Sequence, residues 1–250
     1  MMQGSSASFD PLADAYDRYR IGYAPELYDA LACEGVGAGS HVLDLACGTG
    51  LVAAELAERG AVVTGSDVSE PMLAHARARV PGATFAQGTA EALPFSDGAF
   101  DAVMSAQAFH WFDRRRALAE CARVVRPGGL VAIWWKTLTR GDVVRALRNE
   151  IAREAGLEPI GDILSDGFAD FDRFEGLTDQ RLRVIPWSVE RTVGEIVGYE
   201  RSRARSRAAY GSAFETYLER LRRRLGAETE RYVLCYVHFL YLGRVAAALR

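Results

Sequence analysis

Short apolar runs alternate with amphipathic stretches through the first half of this 250-residue chain. Brief runs rich in Val, Leu, Ala and Ile are typical of buried parallel strands, whereas apolar residues three or four positions apart indicate helices. An alternation of the two predicts a parallel sheet with helices on both faces and right-handed connections. The predicted strands are 42–46, 61–66, 83–87, 100–105 and 129–135, and the predicted helices are 50–59, 70–79 and 114–125.

Both flanks of this region carry a weaker pattern. Residues 1–8 are small and polar and are predicted to fray, residues 9–31 have helical spacing, and Pro25 is a typical first residue of a second helix. Beyond Lys136 the apolar periodicity loosens. There the predicted helices are 142–155, 192–207 and 212–225, and the predicted strands are 181–187 and 231–241.

The first predicted strand ends in a turn that is suited to a ligand. Val42–Leu45 carries an acid, Asp44, at its third position, and Gly48-Thr49-Gly50 follows it. Glycines let a ligand approach the backbone, and the N-terminus of the next helix attracts a carboxylate or a phosphate. Asp44 beside the turn suits a ligand ammonium. A ligand with both a carboxylate and an ammonium is an amino acid, and S-adenosylmethionine contains one.

A dinucleotide cofactor is the alternative for the same turn. Gly48–Ala53 fits the relaxed pattern of two glycines and a third small residue. Asp44, however, would repel a pyrophosphate and therefore favours a cationic amine. Asp67 ends the next predicted strand about 20 residues further on, at the offset where an acid binds ribose hydroxyls, and both cofactors predict it.

Several further motifs follow in the order known from one family. The chain resembles the class I S-adenosylmethionine-dependent methyltransferases over about residues 9–136. It is most similar to the small-molecule branch that includes ubiquinone/menaquinone-biosynthesis-like and trans-aconitate-like enzymes. The matching segments are Val42–Gly50, Gly65–Leu73, Gly88–Phe95, Phe100–Phe112 and Leu118–Leu130.

The resemblance implies an α/β fold with a Rossmann-like sheet of seven strands in the order 3-2-1-4-5-7-6, the last strand antiparallel. Residues 1–136 would form a cofactor-binding core with N-terminal cap helices, and residues 137–250 would complete the same single domain with a helical lid over the substrate. In the family, the glycine turn holds the methionine part, the acid after the second strand holds the ribose, and the loop after the third strand flanks the adenine. The implied cofactor-binding residues are Tyr16, Arg20, Asp44, Ala46, Gly48, Gly50, Asp67, Val68, Met72, Thr89, Ala90, Glu91 and Gln107.

Methyl transfer from a sulfonium requires orientation and exclusion of water more than it requires a strong catalytic dyad. His110, just past the fourth strand, is the candidate general base, because its ordinary pKa suits proton removal from a hydroxyl or an amine. A histidine that only lines the pocket is the alternative. A carboxylate acceptor would need no base, and Arg20 and Lys136 would hold it, unless Lys136 is an exposed, solvated lysine. The candidate substrate-binding residues are Trp111, Trp135, Lys136, Ser202 and Ser206, the two serines through the resemblance alone.

Composition narrows the class of protein only slightly. The chain is 49% apolar and 25% charged, as in ordinary soluble globular proteins, and its net charge of −3 gives no overall attraction to nucleic acid or anionic membranes. The four cysteines form no Cys-x-x-Cys pair, which predicts free, buried thiols in a reducing compartment. No metal-ligand spacing, signal pattern or membrane-length apolar run occurs, so we expect a cytoplasmic protein without a metal.

The predicted function is methylation of a small molecule by S-adenosylmethionine, with S-adenosylhomocysteine as the by-product. O-methylation, of a carboxylate in particular, is the first hypothesis, and N-, C- or S-methylation stays open. A cofactor-binding protein of this fold that catalyses a cyclisation, an NAD-dependent oxidoreductase, and an RNA or peptide methyltransferase are the alternatives. The last would use the arginine-rich segments 201–207 and 220–224, but interleaved glutamates favour a salt-bridged helical surface there. Neither nucleic acid nor a membrane is therefore expected as a partner.

Overall fold

Seven strands form one sheet in the computed structural model, which describes residues 10–160 and 169–247. The strands are β1 (His41–Leu45), β2 (Val62–Asp67), β3 (Thr84–Gln87), β4 (Phe100–Ala106), β5 (Val125–Leu138), β6 (Leu177–Thr192) and β7 (Arg231–Val245). The helices are α1 (Ala13–Tyr19), α2 (Pro25–Cys33), α3 (Leu51–Glu58), α4 (Glu70–Arg79), α5 (Arg114–Val124), α6 (Val143–Glu154), α7 (Ala169–Asp172), α8 (Val193–Arg201), α9 (Ala204–Tyr210) and α10 (Phe214–Gly226).

The strand order is β3-β2-β1-β4-β5-β7-β6, as the resemblance predicts. Strands β1 to β5 are parallel, and β7 runs antiparallel between β5 and β6. The carboxyl ends of β1, β2, β4 and β5 therefore meet at one edge of the sheet. The predicted order and the antiparallel last strand are confirmed.

Alternate residues of the strands pack on opposite faces of the sheet. On one face, Leu43, Val103 and Val131 are fully buried against α5. On the other face, Val42 and Ala132 are buried against α2 and α3. Two apolar layers therefore fix the parallel strands, so that their carboxyl ends hold a constant position relative to the helices.

A third apolar cluster lies beneath the helices of the second half. Leu147 and Ile151 of α6 pack with Ile196 of α8 and with Leu218 and Leu221 of α10. These helices also cover the ends of β5 and β7. The lid over the substrate stays a prediction for these helices.

Several predicted boundaries in the second half are wrong. β6 and β7 are 16 and 15 residues long, well beyond the predicted 181–187 and 231–241. The predicted helix 192–207 is two helices, because α8 ends at Arg201 and α9 begins at Ala204. β7 is paired with β5 on one side and β6 on the other, and the edge strand β6 pairs with β7 along its length, so both strands extend past the segments that are apolar enough to be recognised alone.

The segment before β1 forms a cap on the carboxyl edge. Helix α1 contacts α4 and α8, and an ion pair joins Arg79 to Asp17. The Oγ of Ser69, which caps the N-terminus of α4, also donates a hydrogen bond to Asp10 at 2.6 Å. Pro25 begins α2, as predicted. Of the initial helical segment, Phe9 lies outside the described residues.

Two predictions from the composition concern the state of the cysteines and the absence of membrane-spanning segments. All four cysteines are free, and Cys47 and Cys121 are buried. The prediction that every thiol is buried is wrong, because Cys33 and Cys235 are exposed. Among the residues that the structure describes, no helix combines the length and apolar character needed to cross a bilayer.

Substitution of Gly50 tests how tightly the turn after β1 packs against α4. Its φ is +79°, and an added Cβ would lie 3.1 Å from the Cα and Cβ of Ala76 in α4. The left-handed conformation alone costs a residue with a Cβ about 1–2 kcal/mol. We expect Gly50→Ala to lose more unfolding free energy than that, measured by urea denaturation.

Gly35 supplies the matched control for this substitution. It has a similar φ of +87°, but an added Cβ would meet no atom within 4 Å. Gly35→Ala should therefore show only the backbone cost. Equal losses in the two variants would contradict close packing of the turn against α4.

Candidate functional site

The backbone leaves β1 through a turn with three left-handed residues. The φ angles are +56° at Ala46, +53° at Gly48 and +79° at Gly50. The Cys47 N–H donates to Ser66 O at 3.0 Å, which ties the turn to the end of β2. Such a conformation is rare for residues with a Cβ and frequently marks a functional site.

Asp67 at the end of β2 is fixed by the same turn. Its Oδ2 accepts a hydrogen bond from the Gly48 N–H at 2.9 Å, and its Oδ1 accepts one from the Ser69 N–H at 2.9 Å. Burial raises the pKa of this carboxyl group above its ordinary value, against these backbone hydrogen bonds. The carboxylate is therefore held rigidly and still has acceptor capacity for a ligand.

A cavity of about 420 Å³ opens beside Asp67. Three carboxylates line it, those of Asp67, Glu91 and Asp113, with a single guanidinium from Arg116. We call it the acidic cavity. Its remaining lining residues are Tyr16, Ala46, Gly48, Val68, Met72, Thr89, Ala90, Ala92, Ala106, Gln107, Ala108, Trp111 and Phe112.

Arg20, Asp44 and Gly50 do not line this cavity, although all three belong to the predicted cofactor residues. Asp44 is 1% exposed, and its Oδ2 accepts a hydrogen bond from the Ala53 N–H in the first turn of α3 at 3.1 Å. Burial, together with the nearby Asp67, raises the pKa of Asp44 to about 7 against that hydrogen bond. Asp44 thus changes charge near neutral pH behind the turn.

A second cavity of about 160 Å³ adjoins the acidic cavity. Tyr16, Gln107 and Trp111 line both cavities, so these three residues mark the junction. Gln107 is held there in a left-handed conformation with φ +57°, and its Nε2 donates to Lys136 O at 2.9 Å. A group transferred between the two cavities would pass at this point.

The second cavity is lined by cationic side chains, and none of its described lining residues is an Asp or a Glu. We call it the basic cavity. Its cationic lining residues are Arg20, Lys136, Arg145, Arg148, Arg203 and Arg205. Its uncharged lining residues, beyond the three at the junction, are His110, Trp135, Thr137, Leu138, Asn149, Ile160, Tyr199, Ala204 and Tyr236.

Glu200 lies behind the basic cavity and neutralises only part of this charge. Its carboxylate is 3.0 Å from Arg148 Nε and 3.1 Å from Arg203 Nη1, and Ser206 Oγ donates to it at 2.6 Å. Its side chain is 1% exposed. Two guanidinium groups share one carboxylate, so this cluster alone keeps a net positive charge facing the cavity.

Arg20 projects from the cap into the basic cavity. Its Nε donates to Ser202 Oγ at 3.0 Å and its Nη2 to Ser202 O at 3.2 Å. The guanidinium lies 4.5 Å from the ring centroid of Tyr16 and 4.8 Å from that of Tyr199. Aromatic faces and neutral oxygens hold it, and no carboxylate of the described residues forms an ion pair with it, which suits it to an anionic ligand.

His110 is placed in the basic cavity with a defined tautomer. The indole Nε1–H of Trp135 donates to His110 Nδ1 at 3.3 Å. Because Nδ1 accepts, the proton of the neutral ring is on Nε2. A general base at Nε2 would need a lone pair there, which this tautomer of the neutral ring does not have.

Two predicted substrate residues lie outside the basic cavity, and a third, Lys136, lies in it but is buried. Ser202 and Ser206 do not line the cavity; they hold Arg20 and Glu200 respectively. Lys136 lines it but is only 7% exposed, so the alternative of a solvated lysine is wrong. Its Nζ donates to Ile21 O and Gly22 O at 2.7 and 2.5 Å.

Trp111 and Trp135 line the basic cavity, as predicted for the aromatic residues after β4 and in β5. The sequence-based list missed Arg145, Arg148, Arg203 and Arg205. Arg145 and Arg148 are one turn apart on α6, a spacing that could have indicated a shared face. Other predicted surface arginines do form ion pairs outside the cavity, Arg201 with Glu215 and Arg224 with Glu150.

Comparison with known proteins gives a family and a fold. Residues 43–133 match the family described as "Methyltransferase domain". An uncharacterised methyltransferase of Mycobacterium tuberculosis is 42% identical over 158 residues, which are 63% of this chain and 63% of that relative. The chain thus spans less than two thirds of the length of this relative.

Two further similarities extend this finding. The malonyl-[acyl-carrier protein] O-methyltransferase of Erwinia pyrifoliae is 41% identical over 120 residues, which are 47% of this chain and 45% of that relative. The solved structure of a proposed type II methyltransferase from Anaeromyxobacter dehalogenans has a TM-score of 0.69 at 22% identity, covering 91% of this chain and 99% of that one. The structural similarity shows the fold over nearly the whole chain.

Proposed function

Because the chain belongs to the class I S-adenosylmethionine-dependent methyltransferase family, we propose that it transfers a methyl group from S-adenosylmethionine to a compact acid in the basic cavity. The observation that carries this proposal is the opposite charge of two cavities that meet at Tyr16, Gln107 and Trp111. A cationic donor suits the first cavity and an anionic acceptor suits the second.

The acidic cavity fits the nucleoside in size and in polarity. Its 420 Å³ lies within the ~300–1,000 Å³ of common ligand cavities. Asp67 would accept hydrogen bonds from the ribose hydroxyls, and the segment Thr89–Glu91 would flank the adenine together with Val68 and Met72. The methionine part would lie along Ala46 and Gly48, with its ammonium toward Asp44. The sulfonium methyl would then face the junction.

The basic cavity supports a small and acidic acceptor. Its 160 Å³ is below the ~300 Å³ of common ligand cavities, so it suits a compact acceptor group. Arg20 would bind an acceptor carboxylate, because its guanidinium forms a planar pair of donors that matches two carboxylate oxygens. The Erwinia pyrifoliae relative is named as an O-methyltransferase, which is compatible with this chemistry.

Methylation of a carboxylate needs little from the protein besides placement. When bound, S-adenosylmethionine would supply the methyl group to the acceptor oxygen and leave as the neutral thioether. No proton moves, so no general base is required. His110 would donate its Nε2–H to the acceptor, and Trp111 and Trp135 would exclude water from the reacting groups.

Asp67→Ala tests the placement of the nucleoside. Loss of charged hydrogen bonds to the ribose is expected to cost about 1.5–3 kcal/mol, or roughly 10- to 100-fold in affinity for S-adenosylhomocysteine. Isothermal titration calorimetry measures this, and circular dichroism checks that the variant is folded. Asp29→Ala, which removes an exposed acid paired with Arg59, should bind like the wild type. Full binding by Asp67→Ala would contradict the placement.

The raised pKa of Asp44 predicts that the affinity for S-adenosylhomocysteine depends on pH. Its pKa near 7 means that its charge, and hence its attraction for the ligand ammonium, increases from pH 6 to pH 8. Affinity for S-adenosylhomocysteine should therefore rise severalfold over this range in the wild type. Asp44→Asn preserves an oxygen for the Ala53 N–H but cannot ionise, so its affinity should change less with pH. Parallel pH profiles would rule out a role for Asp44.

The acceptor class is tested with methyl-labelled S-adenosylmethionine and panels of compact carboxylic acids, phenols and amines. We expect label to transfer to acids and the product to release labelled methanol in mild alkali, as methyl esters do. Transfer only to phenols or amines would contradict the acidic acceptor.

His110 distinguishes a hydrogen-bond donor from a general base in the same assay. His110→Gln retains a side-chain N–H donor and is expected to keep most of the turnover, whereas His110→Ala should lose turnover with unchanged affinity for S-adenosylhomocysteine. If the glutamine and alanine variants are equally impaired and turnover rises with pH, His110 acts as a base.

A further inference from the structure

The single lysine of the chain occupies an unusual environment. Lys136 lies near the end of β5, and its side chain is buried beneath the segment that joins α1 to α2. Lysine is almost never fully buried without partners. Its contacts therefore indicate what the ammonium does.

Two backbone carbonyls and three aromatic rings surround the ammonium. Nζ donates to Ile21 O at 2.7 Å and to Gly22 O at 2.5 Å. It also lies 4.6 Å from the ring centroid of Tyr23, 5.4 Å from that of Trp187 and 5.6 Å from that of Tyr236. We call this group the lysine cage. Carbonyl oxygens and aromatic faces both stabilise a cation.

The charged groups near the cage do not supply a counter-ion. Burial lowers the pKa of Lys136 well below its ordinary value, and the nearby cations Arg20 and Arg191 lower it further. His238 on β7 is also close, and burial lowers its pKa to about 4, so it is neutral at pH 7. The carbonyls of residues 21 and 22 and the rings are thus the groups that hold the Nζ of Lys136.

The cage joins four parts of the chain that are distant in sequence. Tyr23 belongs to the segment between α1 and α2, Lys136 to β5, Trp187 to β6 and Tyr236 to β7. A second contact holds the same segment, because the Ala24 N–H donates to His238 Nε2 at 3.5 Å. Residues 21–24 are therefore attached to the sheet by polar contacts from β5 and β7.

The anchored segment is connected, through Arg20 and Tyr16, to the junction of the two cavities. Ile21 follows Arg20, whose guanidinium covers the ring of Tyr16 and bonds Ser202. Tyr16 lines both cavities. The carbonyl oxygen of Lys136 also accepts from Gln107 Nε2, so the same residue fixes a second side chain of the junction.

We propose that Lys136 is a positioning residue, which anchors residues 21–24 to the sheet and thereby holds Tyr16 and Arg20 at the junction of the cavities. The role in methyl transfer rests on the proposed function, whereas the anchoring itself does not. Lys136 then acts on the acceptor through Arg20, and its ammonium is bound to the protein backbone when the acceptor binds.

Hydrogen exchange of the free protein tests the anchoring without any ligand. Lys136→Met retains the length of the side chain and removes the ammonium. The amides of Arg20 and Ala24, which bond Tyr16 O and His238 Nε2, should exchange about tenfold faster or more, with α5 and β4 unchanged. Trp187→Leu removes one ring of the cage from a strand remote in sequence, and it should give a smaller increase in the same two amides.

Arg145→Met is the matched control, because it removes a different cation of the basic cavity from α6, which lies outside the cage. It should leave the exchange of Arg20 and Ala24 unchanged. A chemical rescue distinguishes loss of the amino group from loss of packing. Lys136→Cys treated with 2-bromoethylamine regains an ammonium at this position and should recover slow exchange. Wild type treated in the same way controls for the exposed Cys33 and Cys235.

Ligand measurements separate this role from direct acceptor binding. With anchoring, Lys136→Met should weaken binding of S-adenosylhomocysteine as well, since Tyr16 also lines the acidic cavity. Unchanged exchange of Arg20 and Ala24 in both Lys136→Met and Trp187→Leu would overturn the anchoring. Failure of the wild type to bind S-adenosylhomocysteine would refute the proposed function instead, and the exchange result would still decide the anchoring.

Discussion

The hydrogen bond from the Gly48 N–H to the Asp67 carboxylate is the interaction on which the site depends. It connects the turn after β1 to the end of β2, two parallel strands whose carboxyl ends meet at one edge of the sheet. The turn accepts left-handed residues because glycine occupies two of its three such positions. Once these two strands are paired, the acid and the turn have a fixed separation, and the acidic cavity forms beside them.

The second constraint is the separation of charge at the same edge. The carboxylates of the acidic cavity lie at the end of β2 and in the later loops. The arginines of the basic cavity belong to the cap and to the helices of the second half. Near a protein surface, unit charges 4 Å apart interact by about 4 kcal/mol, so two adjoining cavities of opposite sign discriminate strongly between cationic and anionic ligands. Under the proposed function, the charges of the cavities would sort donor and acceptor before methyl transfer.

Local sequence was sufficient for the first half of the fold and for much of the acidic cavity. Strand β1, the glycine turn and Asp67 follow one another along the chain, so their spacing carries the information. Asp44 shows the limit of this information, because only the packing of α3 reveals that it lies behind the turn. The basic cavity depends on contacts between residues far apart in sequence. Arg148 and Arg203 meet through Glu200, and Lys136 reaches Gly22 across 114 positions. No local pattern predicts such partners.

The most direct measurement is a crystal structure of the protein grown with S-adenosylhomocysteine. We expect the ribose hydroxyls to bind Asp67, the adenine to lie beside Thr89–Glu91, and the thioether sulfur to lie at the junction formed by Tyr16, Gln107 and Trp111. The basic cavity should then remain open to an acceptor on the far side of the sulfur. Density for the nucleoside among the arginines of the basic cavity, or a sulfur directed away from the junction, would contradict the central claim.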